Sequence, residues 1–576
     1  MQQSKKRLYT LSTVLFATLI ANTTLGQTGP KVRFTGGARS IISNADIQVN
    51  DTIPDKTTAK KAVGGYALVD LGFNISPNKN TEILGMIRIN NKYGGFYGAG
   101  VAFDVRQLWV KGIIADVVRY QLGDINLKQT PFTLYNHNED QLISQPGVFQ
   151  LQRDIVNYET FYKSNTWRQQ GLSLDWGLQF NKFVKELNVN AYLTRMNATN
   201  FGNVQDRLFG GSTIDLMQSN HFSIAYNLAA LFDVKGTALD TNVFSNIVNT
   251  MTFRYNNKIG KLNAQLQGEF GNSRYHYTID TTAPTLTDYF MNPTFTLSPE
   301  NKQWEAELGY LNVGPDFRSP GAQSKRVDYN AQSNFFNRYK QTQADRPLNY
   351  GDIINNSQLY STGINPKLMA YNPLINNVLP YGQATFNRQG LYLKGKYNTQ
   401  NEVIQSEFSH HQLKEIRGQG TSALKSFMMT RLQLGANLGK YLHWDRIAKI
   451  SASACYQSTQ RTGQYAFESV DLTSLQAGMG AEFEILPSMD LMIGYTALQG
   501  NGNDLVSDRN GFTEVIDFSK YNVDLNQTVT AAGIRFRFGE KAYLTALYQQ
   551  SNYQDKIHAY NNYKINHWMV IYNMTF

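Results

Sequence analysis

The chain holds one cysteine, Cys455, among 576 residues. A single thiol forms no intramolecular disulfide, so cross-links do not hold this fold together. Past residue 26 there is no apolar run of roughly 20 residues, the length a membrane-spanning helix needs, which excludes a helical transporter. Charge is scarce too: Asp, Glu, Lys and Arg make up 17% of the chain, where an ordinary soluble domain carries about 25%. Histidines number eight. The chain contains no HExxH, GxSxG, P-loop or dinucleotide fingerprint, so no familiar catalytic or cofactor-binding motif is available. We expect no enzyme, no cofactor and no resident metal.

What the chain does hold is aromatic and polar. It has 34 Tyr, 32 Phe and 6 Trp, with a mean hydropathy of −0.40. That aromatic content excludes a disordered chain. From about residue 31 onward, hydrophobicity alternates with period two. Leu172, Leu174, Trp176, Leu178 and Phe180 alternate with Ser173, Asp175, Gly177 and Gln179. Leu475, Ala477, Met479, Ala481, Phe483 and Ile485 alternate with Gln476, Gly478, Gly480, Glu482 and Glu484. Successive side chains of a strand point to opposite faces, so each segment is a strand with one apolar and one polar face. The segments are longer than the usual strand of about 5–6 residues. They match the roughly ten residues that a tilted strand needs to cross a bilayer.

The amino terminus reads as an export signal. Lys5, Lys6 and Arg7 precede a mostly apolar stretch over residues 8–21, and cleavage is expected near Gly26 and Gln27. Losing those three positive charges takes the formal charge from +10 to +7. We therefore divide the chain into a signal peptide, 1–26, and a barrel, 27–576. No basic run is interleaved with aromatics, so nucleic acid is not an expected partner.

Ten links between strand-like segments are short and polar: 77–80, 113–117, 181–183, 219–221, 256–260, 298–302, 398–401, 439–445, 486–489 and 539–541. Longer links lie between them, at 46–60, 128–166, 274–287, 314–383 and 500–526. Ten turns with both termini on one side give about 22 strands, within a range of roughly 18 to 24. The predicted fold is all-β: a single closed, antiparallel transmembrane barrel with short periplasmic turns and long extracellular loops. Closure follows because hydrocarbon leaves no tolerance for an unpaired sheet edge.

The last segment is the most specific. Trp568, Val570, Tyr572, Met574 and Phe576 share one face, and the chain ends on an aromatic residue. This resembles the terminal assembly signal of Gram-negative outer-membrane β-barrel proteins. The resemblance names a class, porin-like and without an N-terminal plug, and no particular family. It implies the outer membrane as location, with membrane lipid and the outer-membrane assembly machinery as partners. The first strand-like segment, residues 32–42, starts close behind the expected cleavage point. That leaves no room for the N-terminal plug carried by TonB-dependent barrels of such width.

A wide lumen needs filling or stays open. The links 128–166 and 314–383 are rich in aromatics and are expected to fold into or over the lumen. On the polar faces, Arg88, Arg388, Lys394, Lys396, Arg431, Arg535 and Arg537 stand with Glu269, Glu482 and Glu484 as candidate lumen and selectivity residues. An arginine ladder of Arg388, Arg431, Arg535 and Arg537 facing acids is one reading; interior salt bridges that stiffen the wall are the other. His410 and His411 should point to opposite faces, and His137 sits beside Asn138, Glu139 and Asp140 in a loop. The expected function is a channel for passive passage of small polar solutes through a loop-constricted lumen. The alternative is a non-conducting barrel that serves as a structural or partner-binding subunit of an envelope assembly.

Overall fold

The computed structural model describes residues 31–49, 61–93, 100–137, 146–278, 285–324, 364, 375–509, 515–559 and 562–576. The expected export signal, residues 1–26, and the His137 neighbours Asn138, Glu139 and Asp140 lie outside the described residues.

Alternation over ten or more residues gives strands, and strands of this length pair into one sheet of 22. The chain opens with β1 (Lys31–Val49), β2 (Lys61–Asn78), β3 (Thr81–Lys92), β4 (Val101–Ile114) and β5 (Val118–Leu127). Each strand pairs antiparallel with its neighbour in sequence. The sheet closes where β1 pairs with the last strand, Tyr563–Thr575, from Gly37 opposite Thr575 to Val49 opposite Tyr563. Beyond that ladder, Gly36 and Phe576 exchange two backbone hydrogen bonds of 2.9 and 3.0 Å. Closure leaves no edge.

All ten short links are turns at one end of the barrel, of two to ten residues each. The links at the other end run from five to 74 residues. One expectation is corrected here. Residues 500–526 are not a long loop. Strand Met489–Arg509 runs 21 residues and Val515–Gly539 runs 25, paired almost to their tips. Asn503 and Asn522, for example, are ladder partners in a stretch whose polar composition reads as loop. A strand outside hydrocarbon has no need of an apolar face, so hydropathy loses it.

Burial is inverted relative to a soluble protein. In strand Val470–Leu486, Leu475 and Met479 are 39% and 59% exposed, whereas Ser474 and Gln476, on either side of Leu475, are buried. The same inversion holds in the last strand: Trp568, Val570 and Phe576 are exposed on the outer face while His567 is buried. Exposed Phe34, Phe103, Phe180, Tyr289, Tyr397 and Trp568 add an aromatic component to this outer surface. An apolar exterior around a polar interior is the signature of a barrel with lipid outside and water inside.

Inward faces change character along the barrel. Apolar patches interrupt the polar lining, some in the long-loop half and one in the short-turn half, and the loops pack on them. Strand β5 stops at Leu127 and the wall resumes at Trp167. Between them lies α1 (Gly147–Glu159), whose buried Val148, Phe149 and Leu151 sit on inward-facing Met492, Val529, Leu547, Met569 and Ile571. The 314–387 link contributes Phe317, Val378 and Phe386 to a second cluster with wall residues Phe290, Tyr392, Phe427 and Cys455. The two loops also meet each other. Segments Tyr135–His137 and Ala322–Ser324 pair in parallel and the Ser319 hydroxyl donates to the Phe132 carbonyl at 2.7 Å, while the wall holds both loops: Trp167 Nε1 donates to the Gly321 carbonyl at 3.0 Å, and Phe132 stacks on Phe290 with centroids 4.0 Å apart.

Candidate functional site: the lumen

The seat of α1 is built at both of its ends. Pro146 at the N-terminus occupies space left by wall glycines; a Cβ on Gly480 would lie 2.2 Å from the Pro146 ring, and one on Gly494 would lie 2.6 Å from Val148. The N-terminal residue Gly147 stands beside the Glu482 carboxylate, whose Oε2 is 2.7 Å from the position of an added Cβ. At the C-terminus, Glu159 meets three arginines on three strands: Arg39 of β1, Arg88 of β3 at 2.5 Å and Arg106 of β4 at 3.5 Å. Asp70 of β2 pairs with Arg88 at 2.7 Å and accepts from the Tyr158 hydroxyl. Arg106 also stacks on Tyr158 and Phe161, each 4.3 Å from the guanidinium carbon. An acid at the positive end of a helix and arginines at its negative end both complement the helix dipole.

Arg106 reaches this cluster by way of a β-bulge. Met86 pairs with Gln107 and Ile87 with Val105, so Arg106 is an extra residue with no partner on β3. A bulge re-aims a side chain that strict alternation would misplace.

Of the residues singled out in the sequence, Arg88 stands in this cluster. Arg535 and Arg537 form another, with Asp490, Glu482 and Glu484: Arg535 Nε donates to Asp490 at 2.9 Å and Arg537 pairs with Glu484 at 2.9 Å. Lys394 pairs with Glu307 at 2.8 Å, and Lys396 lies 3.9 Å from Glu407. Arg388 is buried, stacks on Phe427 at 3.6 Å and donates to the carbonyls of Asn377, Val378 and Asn387. It therefore clasps the returning end of the 314–387 link. Arg431 lies beside Met429, with Nη2 3.6 Å from the sulfur. Arg388, Arg431 and the Arg535–Arg537 pair thus have separate environments and do not form one ladder. The three-arginine convergence is instead Arg39, Arg88 and Arg106. His411 faces inward and stacks on Tyr392 at 5.2 Å, while His410 bonds Thr430.

Four members of the arginine cluster escaped the sequence reading: Arg39, Asp70, Arg106 and Glu159. Asp70 carried a signal: it is the one acid in the run Ala67-Leu68-Val69-Asp70-Leu71. Arg106 and Glu159 carried none, because one sits in a bulge and the other in a loop.

Glu269 marks a different region. Its carboxylate accepts from the Thr130 hydroxyl at 2.6 Å, and Gln129 donates to the Ser212 carbonyl and to Thr213, both at 3.1 Å. Residues 128–131 thereby roof a cavity of about 630 Å³ in the short-turn half of the barrel. Its walls come from β5 round to strand Leu262–Tyr277, strands other than those that seat α1.

The chain folds as a closed, 22-stranded antiparallel β-barrel with an apolar outer face. No family model and no curated protein matches the chain. Among solved structures it is similar to the outer-membrane channel DcaP of Acinetobacter baumannii, with 9% identity over 96% of this chain and 99% of that one and a TM-score of 0.28. It is also similar to Pseudomonas aeruginosa OccK8 (OprE), with 6% identity over 94% and 98% and a TM-score of 0.35. A third is the FrpB iron transporter from Neisseria meningitidis (F3-3 variant), with 9% identity over 94% and 81% and a TM-score of 0.43. Superpositions this loose add nothing to the barrel architecture that the strand pairing already shows.

Proposed function

We propose that the protein is a porin-like channel of the bacterial outer membrane, exported by its N-terminal signal, that passes small polar solutes through a lumen narrowed by its two inward loops. The observation that supports it most is the polar, roofed cavity of about 630 Å³ inside a wall whose apolar residues face outward. A solute crossing a bilayer needs such a wet interior. The paired charges Arg535–Glu482, Arg537–Glu484 and Lys394–Glu307 line the same interior and would set its field.

A second reading has its own support. Phe132 and Phe317 are fully buried where the loops meet the wall, which is the packing of a closed plug. A barrel so filled would serve as a structural or partner-binding subunit, with an envelope protein as partner. Planar-bilayer recording separates the two. Discrete conductance steps from the purified protein support the channel. Silence from both the intact protein and a variant lacking residues 314–383 refutes it.

A further inference from the structure

Resting on the channel reading above, we propose that the cavity under residues 128–131 is a binding and selectivity site for neutral polyhydroxylated solutes, that is, sugars or polyols. Its volume, about 630 Å³, falls within the roughly 300–1,000 Å³ of small-molecule sites. Amides of Gln121, Asn190 and Gln267 and hydroxyls of Ser173, Ser223 and Thr252 line it. Each of these groups both donates and accepts hydrogen bonds. A sugar hydroxyl does the same, so such a wall matches a neutral ring of hydroxyls without requiring charge on the solute.

The charges in the cavity point the same way. Asp175, Asp215 and Glu269 stand against Arg254 and Lys128, so the signs nearly cancel with a small acidic excess. That excess opposes an anion. Two of the acids already accept hydrogen bonds: Asp175 from Asn190 at 2.6 Å and Glu269 from Thr130 at 2.6 Å. They are held as oriented acceptors, which suits bidentate bonding to vicinal hydroxyls. The roof itself is firm. Gln129 bonds two adjacent strands and accepts from Tyr192 at 3.1 Å, so the cavity is formed before any solute arrives.

The test uses the full-length protein in detergent and three probes of similar size: D-glucose, sodium glutamate and lysine hydrochloride. Calorimetric titration is expected to give saturable binding of glucose alone. Asn190→Leu and Gln267→Leu should each weaken glucose about fivefold, the effect of one lost hydrogen bond. Asp175→Asn replaces one of the carboxylate's acceptor oxygens by a donor and should weaken glucose by a similar factor. Retention of heat-modifiable migration on gels shows that each variant is folded. Binding of glutamate or lysine in preference to glucose, or unchanged glucose affinity in both Asn190→Leu and Gln267→Leu, overturns the proposal. Proteoliposome swelling then separates this proposal from the channel reading. Glucose binding without swelling in any solute sinks the channel and leaves the site. Equal swelling in all three solutes without saturable glucose binding sinks the site and leaves the channel.

Discussion

Glu159→Ala removes the acid on which Arg39, Arg88 and Arg106 converge. Taking one partner from a buried ion pair costs about 3–5 kcal/mol. Two features reduce that here. The Glu159 side chain is 20% exposed, and Asp70 stays in place against Arg88 and Arg106. About 2 kcal/mol of local stability should therefore be lost. The loss falls on α1, because the barrel wall keeps its ladder. At about 1.4 kcal/mol per decade, the open population of α1 rises about thirtyfold. Native-state hydrogen exchange in micelles reads this directly. Amides of residues 147–159 should exchange about thirtyfold faster, while those of the last strand, Tyr563–Thr575, stay as they were. Unchanged exchange in α1 would refute the reasoning. So would equal acceleration across the strands, since the cluster would then be part of the wall's own stability. Phe149→Ala provides the scale. It leaves the charges alone and removes a fully buried ring from the apolar seat, a loss of about 3–5 kcal/mol.

Acid should act on the same contact. Burial raises the Glu159 pKa, but hydrogen bonding from Arg88 and the charges of Arg39 and Arg106 outweigh it and hold the carboxyl below its ordinary 4.5. A depressed acid contributes stability above its unfolded value and loses it as pH falls through the native one. Exchange in α1, corrected for intrinsic rate, should stay flat between about pH 8 and pH 5 and rise only below the ordinary value; a rise already at neutral pH contradicts this. Arg388→Ala removes the donors that clasp Asn377, Val378 and Asn387. Limited proteolysis should then cut within residues 375–387 while the gel shift of the folded barrel persists, and no new cut means the strap is held elsewhere. Deletion of Arg106 restores unbroken pairing between β3 and β4, because Val105 and Gln107 already oppose Ile87 and Met86. Folding yield should be unaffected while α1 loosens; a failure to fold would show that the bulge is needed by the wall.

The sequence carried the wall of this molecule. Period-two alternation is a property of each strand's own backbone, so Leu475 against Gln476 or Trp568 against His567 can be read without knowing any neighbour. Short polar turns are equally local, and the ten turns led to the 22 strands of the closed sheet. Inside the barrel, that logic ends. Arg39, Asp70, Arg106 and Glu159 come from three strands, one of them bulged, and a loop helix, and only closure brings them together. Arg388 looks the same in sequence as Arg535, yet one clasps carbonyls of a returning loop and the other faces acids on the wall. Apolar inward residues such as Met492 and Val529 blur the alternation because their partner is α1, more than 300 residues earlier in the chain. The boundary between lipid and water is thus written locally along each strand. The contents of the lumen are decided by contacts across the barrel, where the side chains that meet are far apart in sequence and share no common period.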